Sequence, residues 1–206
     1  MSAISLVGRS SSHFTRVARI FALELGLEHT FRPVLDLTTL EPAMYAGNPA
    51  LKIPVLVDEA GPLFGTENIC RELALRSGRR PEAVLRGDVR ARVVANVEEL
   101  TLHVMSAEVS VIMAKASGEG RCMSPKTMRS IENALRYLDE NVDGMLSALP
   151  PQRTLSFVEV ALFCAVTHLP FREVLDVSSW TRLEVFRSQF AQRPSARGTE
   201  YRFDAA

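Results

Sequence analysis

The sequence predicts a two-part α+β chain: a mixed α/β unit over residues 1–77, a linker over 78–86 and an all-helical unit over 87–206. Three observations predict it. Short apolar runs with strand periodicity alternate with helical ones before residue 77. Ser77-Gly78-Arg79-Arg80-Pro81 then breaks that alternation. After the break, apolar residues recur at threes and fours to the end of the chain. With 206 residues, 47% of them hydrophobic, the chain can bury a substantial core.

Ala3 to Val7 reads as a short strand with Ile4 and Leu6 on one face. A helix follows that starts at Ser10-Ser11-Ser12, carries Phe14, Val17, Ala18, Phe21, Ala22 and Leu25 on one side, and ends at Gly26. His29 to Leu35 reads as a second strand, and Pro33 places it at an edge. Residues 37–50, with Pro42, Gly47 and Pro49, form an irregular and partly helical crossover. Val55 to Asp58 and Pro62 to Phe64 make a hairpin, and Thr66 is the expected N-cap of the next helix. Strand, helix, strand, crossover, hairpin, helix is the order of a thioredoxin-like α/β domain.

Beyond the break, Asp88 to Lys115 carries Val89, Val93, Val97, Leu100 and Val104 along one side. Pro125 to Leu146 does the same with Met128, Ile131, Leu135, Leu138, Val142 and Met145. Ser156 and Glu159 have the spacing of a capping box, in which serine and glutamate each satisfy an unpaired N–H. The helix behind them is apolar nearly all round and belongs in a core. Leu183, Phe186 and Phe190 mark a last helix.

The formal charge of zero argues against a general nucleic-acid or membrane-surface binder. All but three of the 24 basic residues are arginine, densest from Arg71 to Arg92, which reads as a solvated linker between helix ends. Three cysteines, Cys70, Cys122 and Cys164, form no C-x-x-C pair, and no histidine stands at metal-ligand spacing, so neither a disulfide framework nor a metal site is expected. No apolar run approaches a membrane span and Met1 to Arg9 lacks a leader pattern, so the expected location is cytoplasmic.

The run from Asn48 to Leu73 joins an Ile-Pro step, a hairpin and a helix start. A cis bond before Pro54 would turn the neighbouring backbone outward, free to pair with an extended peptide, and a carboxylate would be favoured at the following helix start. The segment resembles the glutathione-binding half of the cytosolic glutathione transferases, which read N-P-x-x-K-[IV]-P-x-L-x-D and then L-x-[EQD]-[ST]-x-A-I. Asn48, Pro49, Lys52, Ile53, Pro54, Leu56, Asp58, Leu63, Thr66 and Ile69 match. Gly65 stands where the family has an acid or amide, and Asn68 replaces the usual alanine. Residues 9–27 are similar to bacterial members reading S-P-F-x-R-[KR]-V-R-I-A-x-x-E-L-G, and Arg193 to Thr199 resembles an R-P-S-x-x-x-T ending.

The resemblance implies a glutathione transferase fold, glutathione as co-substrate, a small electrophile as second substrate and a homodimer. It places Ser12 at the catalytic serine position, with Ser11 as second candidate. There a hydroxyl at a helix N-terminus would stabilise the glutathione thiolate. Ser12 also suits a plain N-cap, since one hydroxyl can cap in the free state and meet the sulfur when ligand is bound, and His13 beside it is expected on the surface. Lys52, Ile53, Pro54, Gly65 and Thr66 would hold glutathione. His103, Met105, Val109 and Met113 are candidates for the electrophile pocket, although their spacing also fits plain core. The alternative is a non-catalytic binding or regulatory member of the same fold, which the missing acid at Gly65 favours.

Overall fold

A computed structural model describes residues 3–116 and 124–205. The N-terminal half runs β1 (Ser5–Gly8), α1 (His13–Glu24), β2 (Thr30–Pro33), a 3-10 turn at Pro42–Tyr45, β3 (Val55–Asp58), β4 (Gly61–Phe64) and α2 (Thr66–Arg76). Its sheet has the order β2-β1-β3-β4, with β1 parallel to β2 and antiparallel to β3, and β3 antiparallel to β4. Pro33 lies on edge strand β2, where a missing N–H costs no ladder bond.

Register decides where chemistry can collect. Val7 faces Val55 across β1 and β3, and Val55 faces Phe64 across β3 and β4. The exit of β1, the start of β3 and the exit of β4 therefore share one end of the sheet. The starts of α1 and α2 follow directly from two of those strand ends.

The rest of the chain contributes β5 (Ala83–Val84), α3 (Arg92–Ala116), α4 (Pro125–Ala148), β6 (Leu155–Ser156), α5 (Phe157–Phe171), α6 (Thr181–Phe190) and α7 (Pro194–Arg197). Helix α5 is buried on nearly every side and packs against α1, α3 and α6. It thus fixes the helical half onto the α/β half, and one continuous core runs from Ile4 through Phe163 to Ala196. Each fully buried leucine or phenylalanine in it contributes about 1.5–3 kcal/mol. A second, small core of Val7, Val34, Tyr45 and Val55 lies on the other face of the sheet. Among the described residues, no helix is long and apolar enough to cross a membrane.

Four local expectations are corrected. Gly65, not Thr66, is the N-cap of α2, and no side chain caps that end. The linker is no solvated tether: β5 pairs in parallel with β6, and the Thr154 N–H donates to the Glu82 carbonyl at 2.8 Å. Its arginines are ion-paired, Arg79 with Glu82, Arg80 with Asp88, and Arg86 with Glu98 and Glu99. Helix α3 begins at Arg92 rather than Asp88, because the Asp88 carboxylate is engaged by the Leu85 N–H and by Arg80.

The capping box of α5 is only half formed. Ser156 Oγ accepts the Glu159 N–H at 3.2 Å, while the Glu159 carboxylate takes two 2.7 Å bonds from Arg153. A bidentate arginine pair is stronger than one backbone N–H, so it wins the carboxylate.

Candidate functional site

Three segments meet at the shared end of the sheet: the serine turn after β1, the Ile-Pro step before β3, and the start of α2 after β4. Ser12 is the N-cap of α1, with extended backbone, and its Oγ accepts the Thr15 N–H at 3.3 Å. That bond is long, and the side chain is only half-buried, so the hydroxyl hydrogen is free to point outward. Ser11 is buried instead. Ser10 is also buried, its N–H donating to Asp204 Oδ2 at 2.7 Å from the C-terminal segment.

The Ile53–Pro54 bond is cis. Outside the strand ladders, no backbone hydrogen bond among the described residues engages Ile53. Buried Asn48 shapes the approach: its Nδ2 donates to the Lys52 carbonyl at 2.8 Å and its Oδ1 accepts the Ala50 N–H at 3.0 Å. The Lys52 side chain is exposed at this edge.

Gly65 has φ +88°, a backbone that side-chain-bearing residues rarely adopt, so glycine sits here without strain. The first helical bond of α2 runs from the Ile69 N–H to the Gly65 carbonyl. The N–H groups of Thr66, Glu67 and Asn68 therefore precede the helical ladder, which favours an anion at that end. The Asn68 side chain points the other way, its Nδ2 donating to the Phe64 carbonyl at 3.0 Å.

The structure does not bring the four electrophile-pocket candidates together. His103 is exposed and its Nε2 lies 3.0 Å from Ser130 Oγ on α4. Met105 is fully buried in the main core. Val109 and Met113 are exposed further along α3.

What sequence reasoning missed is a buried polar cluster behind the serine turn. His13, expected on the surface, is 1% exposed and packs with Glu108 of α3 and His168 of α5, which are equally buried. His168 Nδ1 lies 2.7 Å from Glu108 Oε1 and 2.8 Å from His13 Nδ1, and His168 Nε2 lies 2.8 Å from the Ser11 carbonyl oxygen. Burial, and then the neighbouring His168, hold His13 well below the usual imidazole range, while burial raises Glu108 against the pull of His168.

The two histidines and the carboxylate are metal-type donors brought within 4.8 Å of one another. Their contacts of 2.7 and 2.8 Å are hydrogen-bond lengths. Two ligands about 2.0–2.1 Å from a tetrahedral ion would stand about 3.3 Å apart. The spacing is that of a shared proton. A signal for this cluster existed: His168 is a polar residue inside a helix that is otherwise apolar all round, so it required a partner.

No cysteine lies in the serine turn. Cys70 and Cys164 are buried, and burial raises both thiols, Cys164 to about 12, so neither ionises near neutral pH. Cys122 lies outside the described residues.

A thioredoxin-like unit with a cis-proline edge, joined to a helical bundle, defines the glutathione transferase class of fold. Residues 6–81 match the family model described as "Glutathione S-transferase, N-terminal domain". It is 26% identical over 171 residues to the "Uncharacterized GST-like protein YibF" of Escherichia coli (strain K12), covering 83% of this chain and 84% of that one. Among solved structures it is similar to a Methylobacillus flagellatus KT glutathione S-transferase with glutathione bound, with TM-score 0.79 and 22% identity over 97% of this chain and 100% of the other. A Pseudomonas fluorescens Pf-5 family member with bound glutathione gives TM-score 0.80 and 21% identity over 97% and 100%.

Proposed function

We propose that this protein binds glutathione at the shared end of its sheet and conjugates it to a small electrophile. The observation that carries the reading is the convergence there of the Ser12 turn, the Ile53–Pro54 edge and the start of α2. Glutathione is an extended peptide with two carboxylates and one thiol, and this end offers a group for each part. Unladdered backbone at Ile53 pairs with the peptide, the α2 N-terminus with Thr66 receives the γ-glutamyl carboxylate, and exposed Lys52 serves the glycine carboxylate. The Ser12 hydroxyl donates to the sulfur. The two solved relatives described above carry glutathione, which supports the same ligand here.

Chemically, the sulfur must attack as an anion. A hydroxyl hydrogen bond and the partial positive charge at the α1 N-terminus lower the thiol pKa and stabilise that anion. Ser12 acts as a donor and forms no covalent bond. Steady-state assays with a panel of electrophiles test the reading. Glutathione-dependent turnover with at least one is expected, and none with any would sink it.

Gly65 favours a second reading, a binding protein without catalysis, because it offers no side chain to the γ-glutamyl amine. Calorimetric titration separates the two. Sub-millimolar glutathione binding supports the enzyme, whereas no heat and no thermal shift supports the binding protein. For either reading we propose a homodimer through α2 and α3. A sedimentation mass near one 22.8 kDa chain at micromolar concentration would contradict it.

A further inference from the structure

We propose that His168 is a positioning residue for the sulfur site: it ties the Ser11–Ser12 turn to the helical half and shares a buried proton with Glu108. The geometry assigns the hydrogens. The Ser11 carbonyl can only accept, so His168 Nε2 carries a hydrogen and donates it at 2.8 Å. The opposite nitrogen, Nδ1, has two polar neighbours at hydrogen-bond distance, Glu108 Oε1 at 2.7 Å and His13 Nδ1 at 2.8 Å.

One proton between Nδ1 and the carboxylate satisfies both near atoms, and His13, kept neutral by burial, has its Nδ1 2.8 Å from the same nitrogen. The second carboxylate oxygen, Glu108 Oε2, has no hydrogen-bond partner among the described residues. A fully buried carboxylate that is half satisfied in this way is tolerated only beside a cation or a shared proton.

The three side chains come from α1, α3 and α5, so the unit spans both halves of the fold. The charged and titratable groups facing it are Arg172, just past α5, which bears on both His13 and Glu108, and Tyr201, whose ring lies 4.9 Å from that of His168. Arg9 bears in turn on Arg172. Ser12 is bonded covalently to the residue that His168 grips. Losing the shared proton leaves a net negative charge next to the turn, which disfavours a thiolate there. The serine turn is thus held and electrostatically tuned from the other half of the molecule.

The proposal rests on the glutathione reading only for its thiol readout, so the experiment has one arm without glutathione. In the free protein, the Ser12 amide nitrogen, which shares a peptide unit with the Ser11 carbonyl, is followed by NMR against pH in wild type, His168→Gln, His168→Leu and Glu108→Gln. Glutamine keeps an N–H that can reach the Ser11 carbonyl and removes the ring nitrogen facing Glu108, whereas leucine removes both. Wild type is expected to show a Ser12 shift that changes with pH as the proton shared with Glu108 is lost. H168Q should hold the Ser12 signal near its wild-type position with the titration gone, and H168L should move it.

In the glutathione complex, the thiol pKa should rise by roughly a unit in H168L and return most of the way in H168Q. A Ser12 titration that survives unchanged in H168Q overturns the proposal, even where H168L fails to fold. So does a stoichiometric divalent metal in purified wild type that is lost from E108Q. If wild type binds no glutathione, the function proposed above fails while the free-protein arm still decides the role of His168.

Discussion

Asn48 Nδ2 donates to the Lys52 carbonyl at 2.8 Å and thereby fixes the strand edge that leads into the Ile53–Pro54 step. The same amide accepts the Ala50 N–H, so one buried side chain satisfies two backbone groups of a loop with no regular pairing. Asn48→Ala leaves both groups short of a partner. A stability loss of about 1–2 kcal/mol is expected, together with several-fold weaker glutathione binding. Denaturant midpoints and calorimetry on the same samples check it. Unchanged affinity in a destabilised variant would show that the loop matters to the fold alone.

Gly65 poses a trade-off. With φ +88° and ψ 126°, any side chain there is strained, and a Cβ would stand 3.4 Å from Asn68 Nδ2. Gly65→Glu restores the acid that the resemblance associates with the γ-glutamyl group, yet places a non-glycine residue in a glycine region. The strain costs on the order of 1–3 kcal/mol. A lower Tm and a several-fold lower Kd for glutathione are therefore expected together. Calorimetric scans and titrations of G65E read both, and a lower Tm without tighter binding would show that the acid is not what limits affinity.

The fold was legible because its signals are local. Alternation over four residues, the apolar face of α1 and the proline at a strand edge each need only their own neighbourhood. Thr66 was misplaced by one residue because glycine caps a helix through its backbone, which leaves no side-chain signature in sequence. The two-residue strands β5 and β6 are too short to show a period, and their pairing joins residues 72 positions apart. His13 was hidden for the same reason: its partners lie 95 and 155 residues downstream. The convergence of the serine turn with the Ile-Pro edge follows from strand register, which a motif implies but spacing alone does not show.

Glu98 gives the stability a defined pH dependence. Burial lifts its carboxyl to about 7 against the opposing pull of Arg86, whose Nε lies 2.9 Å away, with Glu67 and Glu99 adding to the rise. The ordinary glutamate value is about 4.3. The folded state thus binds more protons than the unfolded state between those values, and stability falls as pH rises through that window. The contribution is full below the unfolded pKa and lost by the time pH passes about 7. Glu98→Gln should flatten this slope. Urea midpoints measured from about pH 5 to 8 on both proteins test it, and parallel curves would mean that Glu98 is ionised throughout.

Ser12 and Ser11 are now distinguishable on physical grounds. Ser12 caps α1 through a long 3.3 Å bond and keeps a half-buried hydroxyl, whereas Ser11 is buried with its carbonyl held by His168. Ser12→Ala should lower turnover and raise the thiol pKa of bound glutathione, because the proposed donor to the sulfur is gone. Ser11→Ala should change either quantity far less. Loss of the Ser12 cap costs about 0.5–2 kcal/mol, which a domain of ordinary stability tolerates, so folding and activity can be scored separately. The readout is thiolate absorbance of the glutathione complex against pH in both variants. A titration that moves with Ser11 and stays fixed for Ser12 would shift the donor by one residue. A titration that moves with neither would make the serine turn a helix cap and favour the binding protein over the enzyme.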